Sequence, residues 1–290
     1  MDTARLRAFM AAVKEGTIKD ASEKLGYTPS AISQLIAAME NDLNILLLER
    51  GRKGVTLTDS GKRILPIVQN ILDYEEQLYQ TASEINNLLR GEIRIGSFSS
   101  IATFWLPSVI QSFQNNFPGI KISLQEGPWQ EVHQWLDNKE IDVAFCSYSK
   151  NSFHDFIPLA KDKLVAMLPK NHPMAKRKNF PIDKLSGEKL ILPQEGKYCN
   201  AVLMLKEKNI PFNIYLTTKE VYASMGMVSQ GLGITVLNEL ITQGWHNRTV
   251  IIPIEPVYTI TLGIELPSIS KASPAAKVFV KHAVKMLKKI

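Results

Sequence analysis

Cysteine is scarce in this chain: two residues, Cys146 and Cys199, stand among 290. Two such thiols supply no disulfide framework and fit a reducing compartment. No apolar run approaches the roughly 18 residues that mark a membrane helix, and the opening MDTARLRAF lacks a secretory pattern. A cytoplasmic chain without a membrane partner is therefore expected. Phosphate loops of the P-loop or dinucleotide form are missing, since Gly231-Leu232-Gly233 lies between a predicted helix and strand and reads as a tight turn. The five histidines (His133, His154, His172, His246, His282) show no metal-ligand spacing with one another or with the cysteines. A G-x-S-x-G nucleophile elbow is also absent. The reading that follows is a non-enzyme with no metal and no cofactor.

What is present is enough for two or three domains, with 45% hydrophobic residues that exclude disorder. The net charge of +6 invites a nucleic-acid partner, but its distribution weakens that argument. Residues 1–60 hold eight basic and eight acidic side chains, whereas Lys271, Lys277, Lys281, Lys285, Lys288 and Lys289 gather near the end with no acid among them.

The case for DNA rests on residues 18–40, IKDASEKLGYTPSAISQLIAAME. Ile18, Ala21, Leu25, Ala31, Ile32, Leu35, Ile36 and Met39 recur at three- and four-residue spacings around a break at Gly26, which predicts two helices packed across a tight turn. Ala21 sits at the expected closest approach. Thr28 suits an N-cap and Pro29 the first helical position. Thr28, Pro29, Ser30, Ser33 and Gln34 then lie at the leading, outward side, where short polar groups reach phosphates and base edges in a major groove. Downstream, Leu46-Leu47-Leu48 precedes the basic turn Glu49-Arg50-Gly51-Arg52-Lys53-Gly54, and Val55-Thr56-Leu57 alternates as a short strand. This is a wing, with Arg50, Arg52 and Lys53 directed at phosphate. Taken alone, the two helices also fit any small all-α domain; the wing is what favours DNA.

These segments, "LRAFMAAVKEGTIKDASEKLGYTPSAISQLIAAMENDL" and "LLLERGRKGVTLTDSG", resemble the N-terminal domain of LysR-type transcriptional regulators. The rest of the chain fits the same family, so the resemblance spans essentially its whole length. Two positions depart from the family pattern: Asn44 stands in place of a glycine after the recognition helix, and Pro29 in place of a common glutamine. The first implies modest strain. The second removes a base contact.

Between Thr58 and Arg90-Gly91, Ile64, Val68, Ile71, Glu75, Leu78, Ala82, Ile85 and Leu89 form a heptad-like seam with a polar exception at Glu75. A helix of about 30 residues spans roughly 45 Å, more than one small domain needs, and a dimerising linker is preferred over a core helix. Pro66 should bend it. The family also uses this helix as linker and dimer contact. From Glu92 onward strand and helix signals alternate, among them strands at 93–96, 120–125, 142–146, 164–168, 190–192, 213–217, 233–237 and 259–265 and one helix over 101–117. The expected fold is α/β: an all-α winged helix-turn-helix domain (1–58), a linker helix (59–90) and a two-lobed, periplasmic-binding-protein-like effector domain (91–290). Lobe I takes 91–161 and 267–290, and lobe II takes 162–266. The crossings fall near 160–163 and 265–268.

Ligands of open α/β sheets gather beyond strand C-terminal ends. Ser99 and Ser100 follow the first strand and open a helix, so they are placed at the cleft as donors to an anion; the competing reading makes one of them a cap. Trp129 is placed there as a wall, Cys146 and Ser147 as strand-end groups, and Gln194, Lys197 and Tyr198 as amide, cation and phenol from the opposite lobe. Met225 is added as a soft wall, although a core methionine is the commoner case. Lys197 and a helix N-terminus are expected to lower the Cys199 pKa, yet Cys146 reads as a buried hydrophobe and argues against a redox pair. A metabolic enzyme with an accessory helical domain and a pure solute-binding protein are the alternatives; neither explains a DNA reader ahead of the lobes. The resemblance implies promoter DNA, a small anionic metabolite, RNA polymerase and further copies of the chain (homodimer or homotetramer) as partners.

Overall fold

The computed structural model describes residues 2–51, 54–85, 90–193 and 199–288, with backbone alone at 50 and 83–85. The chain divides into two compact units, Met1–Gly91 and Glu92–Ile290. Among the described residues no helix is long and apolar enough to cross a membrane.

The first unit packs α1 (Thr3–Glu15), α2 (Ile18–Leu25) and α3 (Pro29–Leu43) around Leu6, Phe9, Ala12, Ala21, Ile32, Ile36 and Met39. Ala21 is fully buried, as its place at the helix crossing requires. Each helix has a side-chain N-cap, from Asp2, Thr17 and Thr28 respectively. Gly16 and Gly26 end the first two in the left-handed conformation at φ 75° and 70°. Asn44 ends the third at φ 53°. Asparagine is among the few non-glycine residues that tolerate this region, which is why the departure at this position is accommodated.

The wing pairs β1 (Leu48–Gly51) with β2 (Gly54–Leu57) in antiparallel register. Glu40 of α3 fixes its base, its Oε1 accepting from Leu47 N at 2.7 Å and Leu48 N at 3.1 Å. Val55 N donates to Gly16 O at 2.8 Å, so the wing is also tied to the end of α1. At Gly61 a Cβ would lie 2.1 Å from Leu47 O, so only glycine allows the next helix to start this close to the wing.

That helix, α4 (Asp59–Ile85), continues through Pro66. The structure divides the expected seam. Ile64 and Val68 pack into the first unit's own core with Leu65 and Leu72, and Glu75 turns to Arg7, 2.8 Å away. Of the expected seam Ile71 and Leu78 stay exposed, and with Ile67 and Tyr74 they form an apolar stripe; the neighbouring helices claim Ile64, Val68 and Glu75. The side chain of Ile85 and the residue Leu89, also expected in the seam, lie outside the described residues.

In the second unit β3 (Gly91–Ser97), β4 (Ile120–Glu126), β5 (Val143–Ser147), β6 (Asp155–Leu168), β7 (Phe180–Pro181), β11 (Val250–Glu255) and β12 (Thr259–Leu266) form a continuous sheet in the order β4-β3-β5-β12-β6-β11-β7, with β10 (Thr235–Asn238) also on β6. β6 crosses between lobes. Its first part pairs with β12 and its last five residues lie between β10 and β11. The return crossing falls between Glu255 and Thr259, earlier than the expected 265–268, because β12 from Thr259 to Leu266 is a lobe I strand paired with β5 and β6. The short parallel pair β8 (Leu190–Leu192) and β9 (Ile214–Thr217) completes lobe II.

The helices are α5 (Ser99–Phe104), α6 (Leu106–Asn116), α7 (Trp129–Asp137), α8 (Asn200–Glu207), α9 (Val221–Ser229) and α10 (Pro274–Leu287). The single helix expected over 101–117 is two, interrupted at Trp105, whose follower Leu106 is succeeded by Pro107 at the start of α6. Proline lacks the N–H that a continuous helix needs there.

Gly61→Ala should lower the unfolding free energy of the first unit by about 1–3 kcal/mol through overpacking. Gly51→Ala, where a Cβ meets nothing within 4 Å, is the control. Urea melts of the full chain followed by circular dichroism check this; equal midpoints for the two variants would show that the wing yields freely.

Candidate functional site

Two surfaces answer to the residues singled out in the sequence. On the first unit, Thr28, Pro29, Ser30 and Gln34 are exposed at the leading end of α3, and Ser33 is half-buried beside them. Thr28 Oγ1 accepts from Ala31 N at 3.2 Å, so its oxygen is engaged in capping while its O–H remains a donor. Tyr27, also exposed, adjoins this surface and was not singled out from the sequence. The Arg50 side chain and the residues Arg52 and Lys53 lie outside the described residues.

On the second unit a cleft of about 950 Å³ lies between the lobes. Lobe I contributes Ser99, Ser100, Trp129, Gln130 and Ser147; lobe II contributes Cys199, Asn200, Lys219, Val221 and Asn238. The N-termini of α5, α7, α8 and α9 all open onto it, and none of the four has a side-chain cap hydrogen bond. By contrast α1, α2, α3 and α10 are capped by a side chain, while α6, which follows directly on α5 and starts away from the cleft, is not. First-turn N–H groups without a cap are donors waiting for an acceptor, and the helix dipole adds positive potential. Ser99 and Ser100 are not caps: Phe98 occupies that position. Gln130 adds a buried Nε2 that meets no acceptor among the described residues.

At the rear of the cleft Asn200 Nδ2 donates to Asn238 Oδ1 at 2.9 Å, joining α8 to β10. Asp162, where β6 crosses between lobes, accepts from Leu240 N at 3.2 Å. Burial raises its pKa to about 6, outweighing the Leu240 N–H and the nearby Asn238 amide that act the other way. Tyr258 lines the cleft with its ring while its hydroxyl donates to Glu207 at 2.8 Å.

Models of two protein families match the chain. One, the bacterial regulatory helix-turn-helix protein of the lysR family, covers residues 3–62; the other, the LysR substrate binding domain, covers 86–288. The chain belongs to the LysR family. It is similar to the transcriptional dual regulator GltC of Bacillus subtilis, 29% identical with 100% of this chain and 99% of that protein covered. Among solved structures it resembles a variant of full-length OxyR from Pseudomonas aeruginosa, with a TM-score of 0.76, 19% identity, and 99% and 98% of the two chains covered. It also resembles full-length CbnR complexed with its target DNA, with a TM-score of 0.69, 19% identity, and 98% and 99% covered. These structural likenesses show the fold.

The chain is thus a LysR-type DNA-binding transcriptional regulator with an effector-binding domain. Within this LysR-type domain the structure brings Ser99, Ser100, Trp129 and Ser147 to one cleft, and takes two expected residues away from it. Met225 is fully buried among Met167, Ile191, Val228 and Leu237, in the core behind α9. Cys146 is fully buried on the sheet face opposite to Ser147, its thiol donating to Glu265 at 3.2 Å. Strand alternation sends neighbours to opposite faces, so Cys146 and Ser147 were never both able to face the ligand. Gln194, Lys197 and Tyr198 lie outside the described residues. Cys199 does reach the cleft, but burial raises its pKa and outweighs the backbone hydrogen bonds at the start of α8, reversing the expected lowering. Asn200, Lys219, Asn238 and Asp162 were not singled out. Asn200 and Lys219 carry a usable signal, as polar residues at strand-to-helix junctions.

Asp162 gives a pH test with a defined sign. Its pKa in the fold lies above the ordinary carboxylate value of about 3.9, so its stabilising effect is full below that value and is lost as pH rises through about 6. Asp162→Asn should therefore melt increasingly above wild type as pH is raised from about 4 to 6, with the difference levelling off above. Thermal melts across this range check it, and a pH-independent difference would refute it.

Proposed function

We infer that pairs of this chain bind promoter DNA through α3 and its wing and respond to a small metabolite bearing a carboxylate or phosphate. The observation carrying the effector class is the convergence of four uncapped helix N-termini on one interlobe cleft. A helix terminus without a side-chain acceptor is a ready anion site, and here both lobes present them. Ser99, Ser100, Trp129 and Ser147 contact the effector from lobe I, with Asn200 and Lys219 facing them. Gln194, Lys197 and Tyr198 are retained as contacts from the same side as Asn200.

Thr28, Pro29, Ser30, Ser33 and Gln34 form the DNA-facing side of α3, with Gln34 suited to bidentate pairing with adenine. Arg50, Arg52 and Lys53 contact phosphate. Residues 1–58 form the reading domain and 59–90 the dimerising linker, whose exposed Ile67, Ile71, Tyr74 and Leu78 supply the apolar stripe. Two recognition helices then enter successive major grooves about 34 Å apart, and tetramers engage two such sites. An effector gripping both lobes shifts their equilibrium by its differential affinity for the two arrangements, altering how the paired DNA-binding units meet the duplex and how RNA polymerase is engaged. No catalysis is assigned, and the setting is the cytoplasm.

Footprinting on the DNA upstream of the chain's own gene, paired with a reporter, tests this reading. Gln34→Ala should cost about 1–3 kcal/mol at one base position and relax specificity there. Ser100→Val should abolish the metabolite response while leaving DNA affinity intact. A Gln34→Ala protein that weakens on all sequences alike, or a Ser100→Val protein that still responds, would contradict the assignments.

A further inference from the structure

Off the cleft, under α7, lobe I gathers a group that the regulatory reading does not use. Cys146 of β5 lies opposite Gly263 of β12, which makes Glu265, two residues on, its diagonal neighbour on the same sheet face. His133 of α7 crosses above them, and Ser152 and His154 approach from the segment that leads into β6. His133 Nε2, Cys146 Sγ and a Glu265 oxygen lie within 4.8 Å of one another. His133 Nε2 is 3.1 Å from Glu265 Oε2, and His154 Nδ1 is 3.1 Å from Oε1. Ser152 also donates to Glu265.

The far nitrogen of each ring is already engaged. His133 Nδ1 is 2.9 Å from Trp129 O, and His154 Nε2 is 3.2 Å from Asp137 Oδ1. Both partners are acceptors, so each ring donates outward from that nitrogen and turns its other nitrogen to Glu265. Burial disfavours charge on His133, but Glu265 outweighs it and raises the His133 pKa, so a proton bridges the pair while Cys146 and Ser152 also donate to the carboxylate; a cation at this place takes over the role of the His133 and Cys146 protons. Outer-sphere carbonyl and carboxylate partners that orient histidine in this way are the usual support of a metal ligand. The set of an imidazole, a thiol and a carboxylate matches a borderline-soft divalent ion. Tetrahedral zinc, at about 2.0–2.3 Å from its ligands, holds them roughly 3.3–3.8 Å apart, so ligand atoms now within 4.8 Å of one another close in on the ion. A second cavity of about 520 Å³, lined by His133, Asp137, Ser152 and His154, gives access.

We propose that His133 Nε2, Cys146 Sγ and Glu265 form a binding site for a zinc-type divalent cation, with His154 and Ser152 holding the other carboxylate oxygen and solvent completing the coordination. Binding replaces the thiol proton of Cys146 and the proton between His133 and Glu265, which leave to solvent. His133 also stacks on Trp129, ring centroids 4.0 Å apart, so the ion fixes the ring beneath one wall of the cleft. Sequence spacing concealed this set, because its members come from a helix and two strands up to 132 positions apart.

The test uses the tag-free full chain, stripped with chelator and titrated with Co²⁺, then with Zn²⁺. The expected result is one tightly held Co²⁺ per chain, a thiolate-to-cobalt charge-transfer band, and displacement by Zn²⁺. Cys146→Ser should abolish the band and Cys199→Ser should keep it. His133→Gln should weaken Co²⁺ binding by about tenfold or more. A wild-type protein without the band, a band that survives Cys146→Ser, or His133→Gln binding as tightly as wild type would overturn the site and leave only protons between the histidines and Glu265. Should Cys146→Ser fail to fold, His133→Gln, with its fold checked by circular dichroism, decides: undiminished affinity overturns the proposal.

Discussion

The antiparallel ladder between β6 and β12 is the constraint on which the effector domain depends. It runs from Thr259 opposite Lys163 to Leu266 opposite Asp155, with a register shift at Leu262/Gly263. Gly263 is required at that shift, since a Cβ there would lie 2.3 Å from Ile157 O. Because β6 continues past Lys163 into lobe II, one strand belongs to both lobes and sets how far they can part. The cleft, the Asp162 crossing and the Cys146–Glu265 pair all take their positions from this ladder.

From that frame the function follows through helix ends rather than through any single side chain. A parallel α/β arrangement directs helix N-termini to the edge where strands end, and this chain leaves the four that reach the cleft without side-chain caps. Caps are worth about 1 kcal/mol each, so leaving them out where a ligand would sit is a cost that a bound acceptor offsets. In the DNA-binding unit the opposite choice is made: α1, α2 and α3 are all capped, as suits a reading head that must hold one shape.

Much of this was legible in the sequence. The helix-turn-helix was readable because Ala21, Gly26, Thr28 and Pro29 each have a local physical role that their residue type announces. The strands of the second unit were readable from apolar alternation, and the lobes from their order. What escaped depended on three-dimensional competition. Glu75 looked like a flaw in a dimer seam because Arg7, 68 positions away, is its partner. Trp105 and Pro107 split a helix whose apolar spacing runs on unbroken. Met225 and Cys146 were assigned to the cleft by strand-end and helix position, whereas the face each side chain takes is decided by packing around Met167 and Glu265. Glu265 itself, the single charged residue in the strand TITLGIEL, carried a signal that spacing rules for metal sites do not read.

Hydrogen exchange on the full chain, with and without an anionic metabolite that raises its melting temperature, addresses the central claim most directly. The account predicts slowed exchange at the first-turn amides of α5 and α7 in lobe I and of α8 and α9 in lobe II together, with the β6–β12 ladder already protected in both states. Slowing confined to one lobe, or protection appearing away from all four helix ends, would contradict it.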